Sequence, residues 1–300
     1  MKLIKPSYEI LPQEEGLNGM YKQIEKVGRT CYKSEDKITN DSAKPFVDRM
    51  IASKHYAMLE HGTVYLCIKD YDDIQEVKYK SNPYSKVTCV FPNLLYVTTN
   101  LRVIVENGWD DDLDYMCEPT EYHERRISVK FTCDRGVSHE FVRHRVFSFA
   151  QESTRYCNYS KDKFSNEITY ICPCWLDYDK VQKLTEIANK DNKEVYRMGH
   201  DELLSMEERG LCSFIYDMSN HEHGYFFQIS AGWKPQEARA VLPNSLKTEL
   251  VMTGFVSDWK HFFDLRAYGV TGKPHPQASE LAVPLLNEFI KNGYLHGNNK

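Results

Sequence analysis

None of the glycine-rich devices that commonly hold a nucleotide phosphate occurs in this sequence. It has no GxGxxG after a strand, no Walker loop and no GxSxG elbow. Without them, phosphate binding falls to basic side chains. Zinc spacing is missing too. His221-Glu222-His223 does not place two imidazoles on one helical face as HExxH does, and Cys172-Pro173-Cys174 has no second pair, so no metal is expected. No apolar run is long enough to span a bilayer, and no early segment has the basic start, apolar stretch and cleavage site of a signal peptide. Nine scattered cysteines, an odd number, fit a reduced cytoplasmic compartment better than a disulfide framework. A net charge of −5 argues against a nucleic-acid partner, whose footprint is usually basic. Repeats, low-complexity tracts and Pro/Ser-rich linkers are absent as well. The expectation is one catalytic domain over 1–300, with neither membrane nor nucleic acid involved.

What is present is a mixture of helical and strand patterns without strict alternation, which predicts an α+β fold: a mainly antiparallel sheet packed by helices. Residues 1–12 read as an edge strand or extended arm. Leu17, Met20, Tyr21, Ile24 and Val27 fall at helical spacing within 14–30. A second helix starts at Asp41-Ser42, an N-cap pair with Pro45 in the first turn. Strands are expected at 63–69, 86–91, 94–99, 126–133, 166–171 and 246–256. Trp109 to Asp114 reads as an acidic, solvated loop. Asp134 caps a helix that continues into 140–156. A long helix covers 181–206 and another 211–231, ending at Gly232. Shorter helices start at Leu101, Pro235 and Trp259, and a last one covers 276–291.

The stretch Glu140-Phe141-Val142-Arg143-His144-Arg145-Val146-Phe147-Ser148-Phe149-Ala150-Gln151-Glu152-Ser153-Thr154-Arg155-Tyr156 stands apart. Its three arginines suit phosphate and carboxylate oxygens. Phe147, Phe149 and Tyr156 offer faces for flat heterocycles. Together they suggest a site for a planar phosphorylated ligand. Three further groups join it: His55 with Glu60-His61, Arg239 in Glu237-Ala238-Arg239-Ala240-Val241-Leu242-Pro243, and Arg266 with His275. Singly, each has a plain reading. His55 could be a surface histidine, and Arg239 and Arg266 could pair with Glu237 and Asp264.

Arg143-His144-Arg145, seven residues, then Ser153 resembles the RHR-x7-S signature of flavin-dependent thymidylate synthases. The upstream His55…Glu60-His61, the Arg239 segment, and Leu265-Arg266 followed by His275-Pro276-Gln277 come in that family's order. The resemblance spans 50–69, 126–160 and 235–290, and 70–125 looks like a family-variable insertion. It implies that family's fold and methylation of dUMP to dTMP. FAD would be the cofactor, with NADPH and methylenetetrahydrofolate as co-substrates, in a homotetramer with shared active sites. By resemblance, Arg266, Arg239, Ser153 and His55 are catalytic. Arg143, His144, Arg145, Gln151, Glu60 and His261 bind FAD. Glu140, Arg143, Gln151, Glu152, Ser153, Thr154, Arg155, Arg239 and Arg266 bind dUMP. Glu140 replaces a glutamine common in the family. Two other classes compete: a hydrolase using Ser153 with His144, and an RNA- or nucleotide-binding module built on the arginine–aromatic stretch.

Overall fold

A computed structural model describes residues 1–161 and 164–296. In chain order its first half comprises β1 (Lys2–Ile4), β2 (Ser7–Leu11), α1 (Gly16–Tyr32), α2 (Ala43–Ala52), β3 (Thr63–Lys69), α3 (Asp73–Lys80), β4 (Lys86–Val90), β5 (Leu94–Asn100), α4 (Leu101–Asn107), β6 (Arg126–Asp134), α5 (Arg135–Phe141) and β7 (Ser148–Gln151). The remainder comprises β8 (Thr169–Ile171), α6 (Tyr178–Lys190), α7 (Asn192–Gly199), α8 (Met206–Ser230), α9 (Pro235–Ala238), β9 (Lys247–Phe255), α10 (Val256–Arg266) and α11 (Pro276–Lys291). The fold is α+β, as expected.

The central sheet is antiparallel, in the order β2-β6-β9-β7. Strands β6 and β9 pair over their full lengths, from Arg126↔Phe255 to Asp134↔Lys247. One face is covered by α5, α10 and α11 through an aromatic core of Phe131, Phe141, Trp259, Phe262 and Phe289. Phe131 meets Phe141 edge-on at 4.9 Å, and Trp259 donates its indole N–H to Ile127 O at 3.1 Å. Each such buried ring contributes roughly 1.5–3 kcal/mol. This core fixes the ends of α5 and α10, where the candidate site begins. A second sheet, β3-β5-β4, packs with α1 and α2, and α1 buries Met20, Ile24 and Val27 along one stripe. The segment 70–125 supplies two of that sheet's three strands. A parallel pair, β1 with β8, joins α6, α7 and α8 around a third core.

Several sequence expectations need correction. The helix capped by Asp134 stops at Phe141 rather than running through 156, because the chain turns back to pair β7 with β9. The long helix over 181–206 is two helices. Asp191 ends α6 and caps α7, its carboxylate accepting from Lys193 N at 3.0 Å. Met206 belongs to α8, which a Ser205/Glu208 capping box starts five residues before Leu211. Ser42 does precede α2, but its hydroxyl donates to Glu25 at 2.7 Å instead of capping the helix. The acidic loop is a 3-10 turn, Asp110–Tyr115, in which Asp112 is buried and accepts from the Tyr79 hydroxyl. Hydrophobic spacing carries no sign of a carboxylate turned inward to meet a buried phenol.

Candidate active site

The 140–156 stretch is divided by its turn. Asp134 Oδ1 accepts from Val137 N at 2.7 Å, starting α5, and Oδ2 accepts from Gln277 Nε2 at 2.6 Å, tying α5 to the first turn of α11. After Phe141 the chain reverses, with Phe147 N donating to His144 O at 3.1 Å. Phe147 enters the core against Trp259, 4.7 Å between ring centroids. It can do so because residue 254 is glycine: a Cβ there would stand 2.5 Å from the Phe147 ring. The turn leaves Arg143 and Arg145 exposed and His144 buried. Phe147 is therefore a core ring, whereas Tyr156 is 57% exposed and lies 5.3 Å from Tyr32.

Arg266, at the end of α10, reaches the start of the stretch. Its Nη1 donates to Glu140 Oε2 at 2.7 Å, Nη2 to Glu140 O at 3.0 Å and Nε to His144 Nε2 at 3.2 Å. To accept there, His144 must be neutral with its proton on Nδ1. Burial, helped by the charge of Arg266 and by His261, pushes its pKa down to about 4. His144 thus serves as a neutral acceptor at this site. His261 is exposed, its ring 6.1 Å from that of His144.

The other end of the stretch meets Arg239, whose Nη1 donates to Thr154 Oγ1 at 3.0 Å. Arg155 Nε donates to Gln236 Oε1 at 3.3 Å, and its guanidinium lies 5.2 Å from the Tyr156 ring centroid. The nearby acids do not take these arginines: Glu237 accepts from Lys234 N, and Asp264 pairs with Lys260. Ser153 Oγ accepts from Arg155 N at 3.3 Å, while its backbone N–H reaches Cys31 O at 2.9 Å. It is a turn hydroxyl, and the His144 acceptor nitrogen faces Arg266, which weighs against a Ser/His hydrolase.

Glu152 is 3% exposed and meets Lys247 Nζ at 2.7 Å, and Lys247 also meets Glu249 at 3.0 Å. Burial opposes the charge on Lys247, but the two carboxylates outweigh it and raise its pKa. Burial likewise opposes the charge on Glu249, yet Lys247 and Lys33 pull it down to about 2. Glu152 therefore braces the stretch from beneath. Gln151 is similarly committed, donating to Ser138 Oγ at 2.8 Å and Thr248 Oγ1 at 3.2 Å.

A cavity of about 770 Å³ opens beside the turn, with Arg145, Glu60, Lys86, Arg102, Arg126 and Ser148 in its walls. Glu60 is ion-paired with Arg102 at 2.5 Å. His55 is exposed, and its ring makes no hydrogen bond among the described residues, so the structure does not join it to the arginine groups. Its neighbour His61 is wholly buried, its Nδ1 at 2.7 Å from Thr253 Oγ1. Burial and the nearby Arg126 lower the His61 pKa to about 3. Thus Glu140, His144 and Arg266 form one group, Thr154 and Arg239 another, and Arg145 and Glu60 share the cavity. Sequence reasoning missed Arg126, Lys247 and Gln236. Arg126 and Lys247 each open a strand, a place where patterning reads a charge as exposed, and Gln236 carried no signal.

The profile of the family described as thymidylate synthase complementing protein matches residues 121–292, more than half of the chain. A flavin-dependent thymidylate synthase of Corynebacterium aurimucosum is 32% identical over 152 residues, covering 51% of this chain and 52% of the relative. One from Mycolicibacterium vanbaalenii is 32% identical over 156 residues, covering 52% and 54%. The chain spans about half the length of these relatives. A solved structure of the UMP/dUMP methylase PolB from Streptomyces cacaoi, bound with 5-Br dUMP, aligns over 97% of this chain and 93% of its own at TM-score 0.40, with 15% identity.

Proposed function

This chain belongs to the thymidylate synthase complementing protein family, and on that premise we propose that it methylates dUMP to dTMP with methylenetetrahydrofolate as one-carbon donor. The observation that carries the proposal is the convergence of two remote arginines on the two ends of one stretch, Arg266 on Glu140 and His144, and Arg239 on Thr154. A uracil ring held against these guanidinium groups would have fixed positive charge beside N3 and its carbonyl oxygens. Such charge stabilises the anionic, enolate-like pyrimidine, so C5 becomes nucleophilic without a cysteine adding to C6. Because Arg266 is already oriented by three hydrogen bonds, little reorganisation accompanies the reaction. Arg155, exposed beside Tyr156, would clamp the nucleotide phosphate, and Ser153 would hydrogen-bond near the pyrimidine.

The cavity beside Arg145 fits FAD in size, within the range of cofactor pockets. Its lining also carries Glu60, Glu106 and Asp258, but Arg102 takes the first two, which leaves the guanidinium groups of Arg126 and Arg145 to supply what no glycine loop does. Arg145, Glu60 and Arg126 would hold the cofactor there, with Arg143 and His261 at its margin. When bound, FAD supplies the hydride, drawn from NADPH, that completes the methyl group. The remainder of the proposal is a single catalytic domain with 70–125 inserted, a homotetramer with shared sites, and a cytoplasmic location. Among the described residues, no helix is long and apolar enough to cross a membrane.

The test is conversion of dUMP to dTMP by the purified chain with FAD, NADPH and methylenetetrahydrofolate, each omitted in turn. Absence of product in the complete mixture would overturn the reading. A wild-type rate in Arg266→Ala would overturn only the role given to Arg266.

A further inference from the structure

We infer that Arg126, outside every motif of the sequence, is a buried binding residue for the diphosphate of a dinucleotide cofactor, acting with the exposed Arg145 of the same cavity. The inference rests on the flavin chemistry proposed above. Arg126 opens β6, where its backbone is paired with Phe255 of β9, and its guanidinium lines the 770 Å³ cavity. The residue is only 9% exposed.

Its hydrogen bonds go to neutral oxygens alone. Nη1 donates to Glu60 O at 3.0 Å and Thr63 Oγ1 at 3.4 Å, and Nη2 to Ser148 Oγ at 3.5 Å. No carboxylate lies within 4.0 Å of it among the described residues. The carboxylate of Glu60 is committed elsewhere: Arg102 takes it at 2.5 Å and takes Glu106 at 2.9 Å. Burial lowers the Arg126 pKa to about 10, which still leaves it charged at neutral pH. Glu60 and Asp258 act on it from beyond ion-pair distance and offset the cost of burial only in part. A buried cation without a close anionic partner costs several kcal/mol, and such charges are otherwise paired.

A ligand would bring the close counter-charge that Glu60 and Asp258, beyond 4.0 Å, do not supply. Arg145 is the second cation of this cavity without a carboxylate within 4.0 Å among the described residues. Two guanidinium groups, one fixed in a sheet and one on a turn, match the two negative charges of a diphosphate. The lining also includes Tyr84, Lys86 and Arg102 from the 70–125 segment, so that segment would take part in enclosing the cavity.

The experiment titrates the full-length protein with FAD, riboflavin and NADP+ by calorimetry, comparing wild type with R126Q and R126K. Riboflavin keeps the flavin ring and lacks the phosphates. R126Q is expected to weaken FAD binding by about 10- to 100-fold, the range for a hydrogen bond to a charged group. Riboflavin affinity should stay within about twofold of wild type on the same reasoning. Thermal melting without ligand guards against misfolding: R126Q should melt no lower than wild type, because a buried charge without an ion-pair partner within 4.0 Å has been removed. Should R126Q fail to fold, R126K keeps the charge and loses the fork, and the same comparison should show a loss of about threefold to tenfold for FAD alone. A penalty on NADP+ that spares FAD would support the diphosphate assignment and give the reductant as its source. Equal losses for FAD and riboflavin, or unchanged affinity for both dinucleotides, would overturn it. A wild-type protein that binds neither flavin would overturn the flavin reading itself, a result distinct from wild-type binding that R126Q retains.

Discussion

Arg266 and Glu140, 126 residues apart in sequence, are joined twice: Nη1 meets a carboxylate oxygen at 2.7 Å and Nη2 meets the backbone carbonyl of the same residue at 3.0 Å. With Nε on His144, the plane of the guanidinium is set. Its remaining N–H groups are left for a ligand. A lysine cannot reproduce this fork.

Arg266→Lys should therefore lower kcat by about 100-fold or more. Its melting temperature should change little, because a partly exposed ion pair contributes about 1 kcal/mol or less. Glu140→Gln keeps an acceptor oxygen and should remain within several-fold of wild type. Glu140→Ala should lose about tenfold in kcat/KM, the effect of misplacing one orienting contact. Steady-state kinetics on the three variants would check the order.

His144 and His61 make stability depend on pH with a definite sign. Both have folded pKa values, about 4 and about 3, below the ordinary 6.5. In that window the unfolded chain binds more protons, so their contribution is full above pH 6.5 and is lost as pH falls toward the folded values. Each can add a slope of up to about 1.4 kcal/mol per pH unit. Denaturant unfolding of His144→Asn between about pH 7 and about pH 5 should show a shallower slope than wild type. An identical slope would contradict burial of a neutral His144.

Lys247→Met leaves Glu152, 3% exposed, without its ion-pair partner. Loss of about 3 kcal/mol is expected, the scale for removing one member of a buried pair. Lys247→Met with Glu152→Gln should recover part of that loss. Affinity for dUMP should fall in the single variant, because Ser153 and Thr154 follow Glu152 directly. Chemical denaturation and dUMP titration test the two effects separately.

Gly254→Ala places a Cβ 2.5 Å from the Phe147 ring. Overpacking of this kind costs about 1–3 kcal/mol. Since Phe147 anchors the turn that presents Arg145, weaker FAD binding should accompany the lower melting temperature.

The fold was legible where hydrophobic spacing speaks for itself. Met20, Ile24 and Val27 mark α1, and the paired strands β6 and β9 fall where alternation and β-branched residues predict them. Chemistry was legible at Arg143-His144-Arg145 and Ser153, because an unusual spacing of charged residues carries information that composition does not. The partners were hidden. Nothing local says that Arg266 prefers Glu140 to Asp264 two residues before it, or that Arg239 passes over Glu237 for Thr154. Those choices follow from how α5, α10 and β7 pack. Asp191 was misread because a residue that ends one helix and starts the next leaves helical periodicity on both sides. Arg126 escaped notice because strand patterning treats a charge at a strand's end as exposed, while here β3 and the 3-10 turn at Tyr56–His61 cover it.

The most direct measurement is a single-turnover reaction: protein loaded with FAD and reduced by NADPH, then mixed without oxygen with dUMP and methylenetetrahydrofolate, with dTMP quantified. The predicted result is formation of dTMP in proportion to reduced flavin, nearly abolished in Arg266→Ala. Reduced protein that binds dUMP and methylenetetrahydrofolate yet yields no dTMP would contradict it.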